Sequence, residues 1–223
     1  MDTKQQEQFS KFKALTRWMY EDSKSALDKA DARFLVALGL FTYIEMLGAF
    51  LKGYFRKDSA GQIEKCKQCS GSGCGRCKNG QSRTSGVERF NEFLSYLGQE
   101  YKDLIAKHPG LYDKLRSGLV HEIIPKEKFC IYKDFVPQIN VDHSVIGGAR
   151  GSAAVYVIPA SITTLSCGIV FSDSENRWEI ILSKLLDDFR AGVERLVSEV
   201  ENGSHHFTFF EAANEINLDG FQY

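Results

Sequence analysis

Phe34-Leu-Val-Ala-Leu-Gly-Leu-Phe-Thr-Tyr-Ile-Glu45-Met-Leu-Gly-Ala-Phe-Leu51 is the stretch whose reading decides the fold. It is about long enough to cross a bilayer, which takes roughly 20 apolar residues. Glu45 stands against that reading, because a carboxylate near the midpoint of a span costs about 3 kcal/mol on insertion scales. Two glycines and a threonine dilute the run further. The stretch therefore reads as the central buried helix of a soluble bundle. At helical spacing Glu45 lines up with Phe41 and Gly48, so it points inward and needs a hydrogen-bonding partner there.

Outward from this helix the pattern stays helical in both directions. A helix is expected over residues 6–29, breaking near Asp31, and after a cysteine-rich loop the run Val87-Glu-Arg-Phe-Asn-Glu-Phe-Leu-Ser-Tyr-Leu97 again has apolar residues at helical spacing. A short helix over 101–107, a turn at His108-Pro109-Gly110 and a helix from Leu111 to Ile124, ended by Pro125, follow. Then the period changes. Phe135-Val-Pro-Gln-Ile-Asn-Val141, Ala153-Ala-Val-Tyr-Val-Ile158 and Gly168-Ile-Val-Phe171 are β-branched and aromatic with glycine-rich breaks, which predicts a small antiparallel β insertion over 129–173. Residues 177–200 read as a long amphipathic helix, with Trp178, Ile181, Leu185, Phe189, Val193 and Leu196 on one face.

With 223 residues, 43% of them hydrophobic, the chain can bury a sizeable core. The expected class is mainly α: an antiparallel helical bundle forming one domain over 1–223, with inserted segments at 57–85 and 129–173. A net charge of −1 gives no global attraction to nucleic acid or to a membrane surface.

The strongest chemical signal is Glu64-Lys-Cys66-Lys-Gln-Cys69-Ser-Gly-Ser-Gly-Cys74-Gly-Arg-Cys77-Lys-Asn-Gly80. Two Cys-x-x-Cys pairs can wrap four thiolates around one tetrahedral ion, and the small residues between the pairs allow the chain to reverse. Structural zinc held by Cys66, Cys69, Cys74 and Cys77 is the expectation; an iron centre or disulfides are the competing readings. Part of this stretch, Cys66-x-x-Cys69-x-Gly71-x-Gly73, resembles half of the zinc-binding repeat of DnaJ-type chaperones. A half-repeat cannot build that family's two-zinc arm, so the resemblance implies a knuckle and no chaperone activity.

Cys130 and Cys167 lie in apolar runs and read as small buried hydrophobes. Together with an N-terminus that lacks an apolar leader, this cysteine usage points to a reducing, cytoplasmic setting. Between Glu64 and Arg83 five basic residues (Lys65, Lys67, Arg76, Lys78 and Arg83) face one acid, giving either a solvated loop or a phosphate-binding surface. The glycine run Gly147-Gly-Ala-Arg-Gly-Ser152 matches no phosphate-loop pattern and reads as a hairpin loop. His143, His205 and His206 have no ligand spacing and read as surface or tail residues.

The remaining candidate for chemistry is Leu111-Tyr-Asp-Lys-Leu-Arg116-Ser-Gly-Leu-Val-His121-Glu-Ile-Ile-Pro125. This Arg-x4-His helix, with Phe90-Asn-Glu-Phe-Leu before it and Glu45 on the central helix, resembles the HEPN superfamily of helical bundles, which includes many metal-independent ribonucleases. The resemblance implies that Arg116 neutralises the scissile phosphate of RNA and that His121 acts as general acid or base while a ribose 2′-hydroxyl attacks. It also implies a homodimer that brings Arg and His together from two protomers, and for a toxin or defence protein an antitoxin partner. Ser117 departs from the nuclease members, which often carry Asn, Asp or His beside the arginine. Two readings stay open: an endoribonuclease, or a non-catalytic binding or dimerisation module in which Glu45, Arg116 and His121 form a structural polar network.

Overall fold

The computed structural model describes residues 1–74, 77–117, 129–134, 166–173 and 176–218. Asp2 starts the first helix, α1 (Thr3–Ala30), with a capping box to Gln5. Asp31, in the left-handed conformation at φ 47°, ends it. α2 (Arg33–Lys52) follows at once, and Gly53 at φ 89° turns the chain out of it. After the cysteine loop, which carries the strands β1 (Cys77–Lys78) and β2 (Gln81–Ser82), α3 (Gly86–Leu97) begins in a second capping box between Ser85 and Glu88. α4 (Gln99–Lys107) leads to a π-helical turn at Asp113–Ser117. The strands β3 (Phe129–Tyr132), β4 (Ile169–Ser172) and β5 (Arg177–Ile181) precede α5 (Leu182–Glu201) and α6 (His206–Ile216).

α2 is the hub of the core. It packs against α1, α3, α5 and α6, and ten of its residues, from Val36 to Leu51, are buried. By length and composition α2 could cross a membrane, yet 56% of its apolar stretch is buried inside the protein. Phe209 on α6 seals one end, 5.6 Å from Phe9, 4.9 Å from Phe12 and 5.0 Å from Phe50 between ring centres. Gln8 on α1 donates its amide to Asn214 on α6 at 2.9 Å, so the first and last helices are joined by polar as well as apolar contacts.

Two expectations change here. Arg177–Ile181 is a strand where the amphipathic pattern predicts the start of a helix. The five residues satisfy both periods, and burial settles the choice: Trp178 and Ile180 face the core while Arg177 and Glu179 pair on the other face. The sheet is mixed rather than antiparallel, in the order β3-β5-β4. β3 runs parallel to β5 with Phe129 opposite Trp178, and β4 runs antiparallel to β5 with Ile169 opposite Ile180. Its inner face, Ile169, Trp178 and Ile180, joins the same hydrophobic cluster as the helices, so the sheet is part of the core. The expected strands at 135–141 and 153–158 lie outside the described residues.

Candidate metal centre and anion cleft

The cysteine loop rises from the bundle on a short backbone ladder. Phe55 bridges Arg83, Arg56 donates its N–H to Ser82 at 2.9 Å, Ser82 donates to Glu64 at 2.8 Å, and Cys66 donates to Gly80 at 2.7 Å. Asn79 (φ 51°) and Gly80 (φ 78°) turn β1 back onto β2, the pairing of residue types that a two-residue hairpin with positive φ at both positions prefers. Only glycine fits at position 80, because a Cβ there would stand 2.1 Å from the Gly71 carbonyl oxygen.

At the far end of this ladder the four sulfurs converge. Cys66 and Cys74, Cys69 and Cys77, and Cys74 and Cys77 are each 3.7 Å apart, and all four sulfurs lie within 4.8 Å of one another. A tetrahedron of thiolates at about 2.3 Å from a central ion has edges of about 3.8 Å. Three of the six edges match that length and the others are within 4.8 Å, and none of the four cysteines is in a disulfide. Gly73 donates its N–H to the Cys69 sulfur at 3.1 Å, and Cys74 donates to that of Cys77 at 3.2 Å, which favours thiolate over thiol. Burial pushes the Cys69 thiol up, but backbone N–H groups of Gly71 and Gly73, together with the neighbouring thiols, outweigh it and bring the group down to about 6. The four residues can hold one metal ion, with both Cys-x-x-Cys pairs supplying ligands.

Two ion pairs fix this loop to α6. Lys78 on β1 pairs with Glu215, and Lys57 pairs with Glu211 at 3.2 Å. Glu211 also accepts the backbone N–H groups of Tyr54 at 2.8 Å and Phe55 at 3.1 Å, which secures the chain where it leaves α2.

Glu45 has the partners its buried position demands. Arg116, on the π-helical turn, brings Nε to 2.6 Å from Glu45 Oε2, although its hydrogen is not directed along that line, so the contact is ionic rather than a hydrogen bond. Arg89 on α3 donates from Nη2 to Oε1 at 3.4 Å, and the Tyr112 hydroxyl donates to Oε2 at 3.2 Å. Burial raises the Tyr112 phenol above its usual range, and the Glu45 carboxylate beside it raises it further. The two arginines and Glu45 line a cavity of about 200 Å³, closed on its apolar side by Met46, Ala49 and Ile216. Arg116 and Glu45 keep 17% and 14% of their side-chain surface exposed, so the pair is half-buried at the cavity mouth.

The structure therefore brings Glu45 and Arg116 together. His121 and the remainder of the expected helix, 118–124, lie outside the described residues, and the described part winds as a π-helix from Asp113. The sequence reading missed Arg89 as a second partner of Glu45. Its signal is position: Arg89 precedes Phe93 by one helical turn, which places a cation on the apolar stripe of α3. Comparison with protein-family models, curated proteins and solved structures gives no match to this chain.

Proposed function

We propose that this protein is a zinc-stabilised, HEPN-like helical module that binds RNA by seating a backbone phosphate in the Arg89–Arg116 cleft. The supporting observation is that two guanidiniums share one carboxylate at the cavity mouth, which leaves one positive charge over for an anion. Zinc suits the cysteine cluster because four thiolates in a closed tetrahedral set are its usual structural site.

A second reading is favoured by the position of Arg116 on the lining of the cleft. In a metal-independent endoribonuclease of toxin or defence type, Arg116 neutralises the phosphate while His121 carries a proton to or from the ribose 2′-hydroxyl. This reading brings with it a homodimer and an antitoxin partner. The test is binding and cleavage of a fluorescent single-stranded RNA without added divalent metal by the unmodified protein, Arg116→Ala and His121→Ala. Loss of binding in Arg116→Ala with retention in His121→Ala supports the binding module. Cleavage by the unmodified protein that both substitutions abolish supports the enzyme. Equal binding by all three proteins overturns the phosphate assignment.

A further inference from the structure

Arg83 stands at the root of the metal loop, the first residue past β2, with its guanidinium 5.6 Å from the centre of the Tyr54 ring. Arg89 is held against the same ring at 5.7 Å. Arg89 also donates to Glu45, which meets Arg116. Arg83, Tyr54, Arg89, Glu45 and Arg116 thus form one continuous row across the junction of loop and bundle.

Charge along this row is unbalanced. Arg83 has no carboxylate partner among the described residues, and its Nε is buried without an acceptor, as is that of Arg89. Glu88, the next acid on α3, is taken up by Arg56 at 2.7 Å and by the Ser85 cap. Glu211 is taken up by Lys57 and the amides of Tyr54 and Phe55. Arg89 and Arg116 therefore share one carboxylate, Glu45, and Arg83 adds a third guanidinium with no carboxylate of its own among the described residues. A tyrosine ring that restrains an arginine lowers the side-chain entropy it loses when it binds an anion.

We infer that Arg83 is a second phosphate-binding position, which extends the Arg89–Arg116 cleft so that its ligand is a single-stranded phosphodiester chain rather than a mononucleotide. The inference rests on the phosphate-binding reading of that cleft. Both aromatic rings along the row are already engaged, Tyr54 by the guanidiniums of Arg83 and Arg89 and Tyr112 by Arg116 and Glu45, so the row grips backbone rather than bases, and binding is indifferent to sequence. The metal loop sets the position of Arg83. Tyr54 and Arg83 flank the two ends of the loop, joined by the N–H of Thr84 to the Tyr54 carbonyl at 3.0 Å and by the Phe55–Arg83 bridge, and the cysteine cluster closes the same ladder at its other end.

The experiment measures binding of a short fluorescent single-stranded RNA, a DNA of the same sequence and a fluorescent mononucleotide to the unmodified protein, Arg83→Gln and Arg116→Ala, over a range of salt. Arg83→Gln is expected to weaken both strands about tenfold, the loss of one charge-assisted contact. The slope of log K against log salt should fall by about 0.7, one phosphate's worth for a single strand. Mononucleotide binding and the melting temperature should stay unchanged. If Arg83→Gln binds both strands as tightly as the unmodified protein while Arg116→Ala does not, the inference falls and the cleft reading stands. If Arg83→Gln weakens the mononucleotide equally, the extension along a strand is wrong. If the unmodified protein binds neither strand, both fall.

Discussion

A Cβ on Gly48 would stand 1.7 Å from the carbonyl oxygen of Arg89, so the backbones of α2 and α3 touch at a point that admits only glycine. Gly48 lies one helical turn beyond Glu45, and Arg89 is the residue whose side chain reaches Glu45. The close approach that packs the two helices also sets the reach of the cation.

Gly48→Ala should therefore force α2 and α3 apart. Overpacking of a well-filled contact costs about 1–3 kcal/mol, and a collision with backbone rather than a flexible side chain puts this case at the upper end. At about 2–4 °C per kcal/mol for a chain of this size, the melting temperature should fall by about 6–12 °C, read by calorimetry. An unchanged midpoint would show that the helices slide at no cost.

Glu45→Ala should destabilise more than Arg116→Ala. Removing the carboxylate leaves two guanidiniums facing each other at a half-buried mouth, whereas removing Arg116 leaves Glu45 still paired with Arg89 and Tyr112. Losing one partner of a fully buried pair costs about 3–5 kcal/mol, and partial exposure brings Glu45→Ala to about 1–3 kcal/mol. Urea midpoints should recover partly at high salt for Glu45→Ala, since screening relieves the repulsion between the arginines. A larger loss for Arg116→Ala would contradict the shared-carboxylate arrangement.

Protein purified without chelator should carry about one metal ion per chain, and zinc is the expected ion. Removing the ion, or replacing Cys69 and Cys74 by serine, should unfold residues 55–83 while far-ultraviolet dichroism keeps most of its helical signal. The ladder, the ion pairs of Lys57 and Lys78 to the last helix and that of Arg56 to Glu88 on α3 tie the loop to a bundle whose core excludes the cysteine cluster. Elemental analysis finding no metal, or collapse of the helices on its removal, would refute this.

Tyrosines should make the fold sensitive to alkali. Burial and the Asp188 carboxylate hold Tyr101 well above its usual phenol range, and burial together with Glu199 pushes Tyr96 up to about 12. A phenol whose ionisation is raised on folding contributes stability in full below pH 10, the value of the unfolded chain, and loses it as pH climbs towards the folded value. Stability should thus fall between pH 10 and about 12 as the unfolded chain ionises first. Absorbance near the tyrosinate band should show Tyr101 titrating only together with unfolding, and Tyr101→Phe should reduce the alkaline slope.

The helices were legible because their signals are local. Apolar spacing located α3 and the run from Phe34 to Leu51 located the buried helix, whereas the capping boxes of Asp2 with Gln5 and Ser85 with Glu88, which start α1 at Thr3 and α3 at Gly86, went unread, so the expected starts fell at 6 and 87. The cysteine cluster was legible for the same reason, since its spacing is the chemistry. β5 was not, because Arg-Trp-Glu-Ile-Ile suits either period and only its neighbours β3 and β4 decide between them. The partner of Glu45 was half legible. The need for a cation follows from an apolar helix carrying a carboxylate, but Arg89 is 44 residues away in sequence and answers that need only once α2 and α3 are in contact.

The bond between Gln8 and Asn214 spans 206 residues of chain. At the roughly 5–20 residues per second of protein synthesis, the apolar stripe of α1 emerges about 10–40 s before α6 can cover it. For most of that interval α5 too is unmade, so Phe9 and Phe12 lean chiefly on α2, and Phe209, the ring that closes over them, is not yet present. The nascent chain therefore carries an uncovered apolar stripe through that interval, and yield in the cell should respond to translation rate and to chaperone supply more than the stability of the finished fold would suggest.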